Sequence, residues 1–194
     1  NNIDSKLKIL KKVINNMSLS SKYSQKNEKE WLNESVQPTS DKATKSYSPL
    51  INLSGIILGG LQSSFSLSKT SETNNSISGT TASTSISDRD DASASFRYTL
   101  SPSSGLLKKL NLKSSIDLQM AFNISQNEQR RSIEGKQMAV VSKGSSWSAS
   151  PKADYRFSQK FTGTAMIRVE NQKDGMTDRV RKIREVSISG RMTF

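Results

Sequence analysis

The sequence predicts an all-β fold built from long antiparallel hairpins. Three observations predict it: apolar residues at every second position in several segments, Gly-containing turn signals midway between those segments, and short connections alternating with long polar ones. Side chains on a strand point alternately to opposite faces, so a period of two marks one oily face and one wet face. The clearest case is LNLKSSIDLQMAFNIS, Leu110 to Ser125. Leu110, Leu112, Ile116, Leu118, Met120, Phe122 and Ile124 fall on one side of it; Asn111, Lys113, Asp117, Gln119 and Asn123 fall on the other. Globular strands usually run about 5–6 residues, and this one is far longer.

Taken in order, residues 1–16 are expected to form a turn, periplasmic if the sheet is a membrane barrel, or a short amphipathic segment, and 17–194 about eight antiparallel strands ending at a C-terminal closing strand. The alternation from Met17 to Tyr23 and the segment LINLSGIIL supply the first pair, with the polar, Pro-containing stretch Lys26–Ser48 as the loop between them. LQSSFSLSK, with Leu61, Phe65 and Leu67 in phase, and DASASFRYTL, with Ala92, Ala94, Phe96, Tyr98 and Leu100, form the next hairpin. It turns near Gly79, and Ile86 keeps phase with Phe96. The Leu110 segment and SSWSASPKADYRF (Trp147, Ala149, Pro151, Ala153, Tyr155, Phe157) form the third, turning at Glu134-Gly135, with Ala139 and Val141 in phase with Trp147. FTGTAMIRVE (Phe161, Gly163, Ala165, Ile167, Val169) and REVSISGRMTF (Val186, Ile188, Gly190, Met192, Phe194) form the last. Their turn is expected at Asp174-Gly175, a dipeptide favoured in tight hairpins. At the opposite end the connections are Gly59-Gly60, Ser158–Lys160 and the loop SPSSGLLKKL.

Composition narrows the function classes. A hydrophobic fraction of 32% with a net charge of +12 would suggest disorder on averages alone, and the alternation argues against that. There is no Cys for disulfides or thiolate sites, and no His for general-base catalysis or metal binding. The many serines lack a His partner and a Gly-x-Ser-x-Gly elbow, so neither an enzyme nor a cofactor is expected. Asp88, Asp90 and Asp91 in SDRDDAS could gather Ca²⁺ but lack the spacing of a calcium loop, so a solvated strand is expected there. The cationic excess, densest at Arg179–Arg184, has three readings: lining a lumen (Lys113, Arg168), contacting phosphates of outer-membrane lipid, or binding nucleic acid. Nucleic-acid binding calls for stacking aromatics beside the charge, and the aromatics sit at strand ends instead. No nucleic-acid partner is expected.

The longest apolar run, SGIILGGLQ, is far short of the roughly 20 residues of a membrane helix. Strands can also span, provided the sheet closes, because hydrocarbon offers backbone N–H and C=O groups no water. Short turns at one end and long loops at the other are the asymmetry of outer-membrane barrels. The expected architecture is therefore an up-and-down transmembrane β-barrel with long extracellular hairpins, in a bacterial outer membrane. Leu110, Leu112, Ile116, Leu118, Met120, Phe122, Ile124, Ile167, Val169, Val186, Ile188 and Met192 are expected to face lipid. Tyr98, Tyr155, Phe157 and Phe161 cluster near the short-turn ends as an interfacial aromatic girdle. A soluble β-sandwich also alternates, but its strands are shorter and its two ends more alike. The terminal Phe194 is read as a signal for the barrel-assembly machinery, with the C-terminus periplasmic and the Gly79, Glu134 and Asp174 tips outward. The opening NNIDSKLK has neither initiator Met nor signal peptide, so a processed or internal piece is expected.

Three blocks in order carry a family resemblance: SYSPLINLSGIILGGLQSSFSLSKTSE leading to SASFRYTL, then LLKKLNLKSSIDLQMAFNISQNEQRRSIEG, then WSASPKADYRFSQKFTGTAMIRVENQ with a short closing strand. The chain resembles the C-terminal barrel segment of the SprA/Sov family, the giant outer-membrane translocons of type IX secretion and gliding motility. The resemblance runs from about Ser46 to Phe194, and ILKKVINNMSLSSKYSQ is similar to the preceding strand entry. It rests on the Ser-Pro-Leu-Ile strand start, the Leu-Lys-Lys turn and segment order, with no catalytic signature. The chain departs from the family in being poorer in aromatics and richer in Ser and Thr. The resemblance implies one very large barrel that passes secreted protein cargo, with companion or plug proteins, this chain forming a sector of its wall. Two other functions fit the residues: a Ser/Thr-rich surface adhesin, and a small stand-alone outer-membrane barrel.

Overall fold

The computed structural model describes residues 14–31, 38–57, 59–78, 80–103, 109 and 112–193. They form a single antiparallel sheet of nine elements: β1 (Ile14–Ser20), β2 (Tyr23–Glu30), β3 (Ser40–Ile57), β4 (Leu61–Ser78), β5 (Thr81–Leu100), β6 (Ile116–Ile133), β7 (Ala139–Arg156), β8 (Phe161–Asp174) and β9 (Val180–Met192). From β3 to β9 each strand pairs with the next in sequence. β1 and β2 both pair with β3, at successive stretches of its length, so they are two halves of one edge strand. Counting those two as one, the nine strands occupy eight positions across the sheet. Substantial contacts join only neighbouring strands, and among the described residues β9 does not pair with β1 or β2. The all-β antiparallel meander is thus observed as an open sheet.

The break within the edge strand has a local cause. Pro49 follows a cis peptide and has no N–H to offer the ladder, and the β3–β4 register shifts between Tyr47 and Ile51. Lys22 bridges the gap instead: its N–H donates to Pro49 O at 2.8 Å, and its C=O accepts from Ser48 N at 3.0 Å.

Several sequence expectations are corrected here. Most of the polar stretch Lys26–Ser48 is not a loop: β2 runs to Glu30 and β3 begins at Ser40, paired residue for residue from Tyr23↔Tyr47 to Glu30↔Ser40. A ladder uses backbone groups, so it continues through polar sequence once a neighbouring strand is in place. β6 starts at Ile116, and Leu112, expected within the strand, lies half-buried in the connection that precedes it. Residues 14–16, expected to belong to a turn, are strand. Ala139 does not keep phase with Trp147: Gln129 pairs Ser142 while Arg130 pairs Val140, leaving Val141 as the extra residue of a bulge and Ala139 opposite Arg131. Leu110, Gly79, Phe194 and residues 1–13 lie outside the described residues.

The turns follow their residues. Glu134 and Gly135 have φ of 55° and 70°, and Lys136 N donates to Ile133 O at 3.1 Å, so the chain reverses tightly there although β7 begins only at Ala139. Gly59 and Gly60 have φ of 90° and 86°, where a side chain would be strained. Asp174-Gly175 is not the tight turn predicted. Asp174 ends β8, its carboxylate accepts the N–H groups of Met176 (2.8 Å) and Thr177 (3.2 Å), and Asp178 takes the left-handed position at φ 53°. Gly175 N–H is drawn sideways to Lys143 O, at 2.7 Å.

Candidate functional site

The sheet has two unlike faces. On one, the cross-strand rows read Leu53–Phe65–Ala94–Phe122–Ala149–Val169, and Gly163 and Ala165 of β8 oppose Gly190 and Ile188 of β9. The apolar stretch on this face covers nine residues in each of four strands: 92–100, 116–124, 147–155 and 161–169. With 51–57, 61–67 and 186–192 it forms a continuous belt. No position of this face within the belt is charged, and apart from tyrosine and tryptophan tips only Ser63 is polar. The belt is open: Ile124 is 53% exposed, Val186 72% and Ile188 84%.

The other face carries the charge. Along the same segments it presents Ser54, Ser64, Ser95, Arg97, Asp117, Gln119, Ser150, Lys152, Asp154, Thr164 and Arg168. Asp117 accepts from Thr99 Oγ1 at 2.5 Å and lies 3.6 Å from Arg97. Asp154 is 2.8 Å from Lys152 Nζ and accepts from Thr164 at 2.5 Å and from Gln119 at 3.5 Å. Arg168 donates to Glu170 at 2.5 Å, and Gln172 does the same on its other oxygen. An open cavity of about 720 Å³ lies on this face, lined by Gln62, Ser64, Arg97, Gln119 and Lys152 among others.

Beyond the belt both faces turn polar and the arms continue toward the hairpin tips. There Asp88, a candidate calcium ligand by sequence, instead accepts Ser71 Oγ at 2.6 Å and Arg130 Nη2 at 2.5 Å. The Ser71 hydroxyl first, and then the Arg130 guanidinium, hold its carboxyl below the usual range against a cost of burial. Asp91 faces the other way and pairs with Arg89 at 2.8 Å, so the three aspartates do not converge. Among the described residues no cluster of acidic side chains is arranged to hold a metal.

Of the residues expected to face lipid, Ile116, Leu118, Met120, Phe122, Ile124, Ile167, Val169, Val186, Ile188 and Met192 all fall on the apolar face. The expected aromatic cluster is brought together at the short-turn end. Tyr155 and Phe157 meet edge to face with centroids 4.7 Å apart, and Phe157 and Phe161 lie 5.4 Å apart. Tyr98 sits on the same face beside Leu118. A second aromatic set at the other border of the belt was missed from sequence. Tyr23 and Tyr47, opposite one another, have centroids 4.8 Å apart, and Trp147 closes the belt on β7. The available signal was that each of these rings stands where the alternation gives way to polar sequence.

The chain matches no known family model and no curated protein sequence.

Proposed function

We propose that this chain is a sector of the wall of an outer-membrane β-barrel that passes proteins to the cell surface, as the SprA/Sov resemblance implies. One observation carries the membrane half of this reading. Among the described residues only Ser132 and Glu170 are buried, and both are polar. A water-soluble domain of this size draws its stability from buried apolar side chains. Here those side chains line one exposed face. Lipid tails are the partner that such a belt fits.

The dimensions agree. Nine residues span eight steps of about 3.4 Å, about 27 Å along the strand, or about 21 Å upright at a tilt near 40°. The apolar band of outer-membrane barrels is about 25 Å tall. Aromatic side chains at both borders sit where interfacial girdles belong. The charged pairs lie on the face opposite the belt, as a lumen lining would, and off the face where a mid-bilayer charge costs about 2–4 kcal/mol.

The translocon half rests on the resemblance and on the lining. An eight-stranded barrel must fill its interior with side chains. The polar face here is dominated by Ser, Thr and Asn, too small to fill one, and among the described residues neither outermost strand pairs with a further strand. Both features suit an arc of a wider, water-filled ring, completed by further strands, served by companion proteins and delivered by the barrel-assembly machinery. The test is extraction followed by conductance. The protein carrying this chain is expected to need detergent for release from membranes and to form wide pores in planar bilayers. Release by salt or carbonate alone would overturn the membrane reading, and detergent-dependent protein without conductance would favour a small closed barrel.

A further inference from the structure

Beyond the belt on its β9 side, the apolar face carries three like charges within a few residues. Arg184 pairs with Val169, the last apolar residue of β8, and Lys182 pairs with Asn171. Lys173, opposite Val180, stands diagonally across from Lys182. Same-face neighbours at such spacings are about 7–8 Å apart, within reach of long side chains. Acidic compensation is thin. Lys173 meets Asp178 at 3.0 Å, the Asp178 side chain being 83% exposed, and among the described residues no carboxylate pairs with Lys182 or Arg184. The nearest acid in sequence, Glu185, opposes Arg168 and so belongs to the other face.

Clustered cations on one face repel, and a sheet tolerates them best when an anion joins them. The surroundings say what kind of anion. Directly below Arg184 on the same face come Val186 and Ile188, the most exposed large apolar residues of the described structure. An occupant that satisfies both halves is amphipathic, with a negative head and hydrocarbon tails. We infer that Lys173, Lys182 and Arg184 form a docking surface for the phosphate group of a membrane lipid, whose tails lie along Val169, Val186 and Ile188. The inference rests on the membrane reading above. Guanidinium suits phosphate through paired N–H donors, and the two ammonium groups add charge without demanding one geometry.

The test uses the full protein carrying this chain, extracted in mild detergent, and three variants of probe: lipid A with its phosphates, dephosphorylated lipid A, and inorganic phosphate. The double variant K182Q/R184Q is compared with R181Q, which removes one cation from the opposite face, where Arg181 pairs with Gln172. Binding of phosphorylated lipid A is expected to weaken at least about tenfold in K182Q/R184Q and to be unchanged in R181Q, with dephosphorylated lipid binding poorly throughout. Equal weakening in both variants would show general electrostatics and overturn the site, as would no change in the double variant. Competition by inorganic phosphate as effective as by the lipid would make it a free-anion site and overturn the lipid assignment. If the protein needs no detergent, the membrane reading itself has failed; if it does and K182Q/R184Q binds normally, only this inference falls.

Discussion

The ring of Phe157 lies over Gly163 so closely that a Cβ at that glycine would come within 2.6 Å of the ring's Cε2 atom. Phe161 covers Gly190 in the same way, with Cε2 2.9 Å from the added carbon. Gly163 and Gly190 pair with one another across β8 and β9. The two aromatic residues of the turn thus fill the gaps left by two glycines on the apolar face. Gly163→Ala must push the Phe157 ring off its seat and disturb its contact with Tyr155. A loss of about 1–3 kcal/mol is expected, as for other overpacked contacts. The double variant G163A/F157A should recover part of it. Denaturant titration in lipid vesicles checks this, and equal stability of wild type and G163A would dismiss the joint.

Met120 is the central residue of the belt on β6, flanked by Phe96 and Pro151. Met120→Arg is expected to cost about 2–4 kcal/mol and to lower the amount of assembled protein. Gln119→Arg, one position along, enters the polar face within reach of Asp154 and should assemble normally. Quantifying folded protein in isolated membranes separates the two. Similar behaviour of both variants would contradict the assignment of faces.

The hairpin tips and the short turns should lie on opposite sides of the membrane. Lys136→Cys, beside the Glu134-Gly135 turn, is expected to react with an impermeant maleimide added to intact cells. Gln159→Cys, in the connection between β7 and β8, should react only after the outer membrane is permeabilised. The reverse pattern would invert the topology.

Acid should loosen the arms beyond the belt. Asp88 has its pKa lowered in the folded chain, so its contribution to stability is present above the ordinary carboxylate range and is lost as pH falls through the lowered value. Amide protection in the outer halves of β4, β5 and β6, taken as exchange relative to the intrinsic rate at each pH, is expected to fall as pH drops below about 4, the ordinary Asp value. In Asp88→Asn the outer halves should already exchange faster near neutrality and respond less to acid. An unaltered acid response in that variant would assign the effect to other groups.

Alternation along the chain is enough to tell which side of each strand is apolar, because a period of two is a property of the extended backbone. The reversals at Glu134-Gly135 and at Gly59-Gly60 are legible too, since positive φ favours particular residues there, and a chain without His or Cys has no imidazole or thiol chemistry. Strand ends and neighbours come instead from the pairing of backbones in the folded sheet. Polar arms such as Ser40–Tyr47 carry no hydrophobic signal, and they become strand because β2 and β4 present backbone partners on either side. The start of β6 at Ile116 follows from its pairing with Leu100 and Tyr155. The meeting of Tyr23 with Tyr47, and the slip at Val141 that turns Ala139 to the other face, depend on register between separate strands. Register is set by hydrogen bonds between backbones distant in sequence, and those bonds leave no imprint on the order of side chains along one strand.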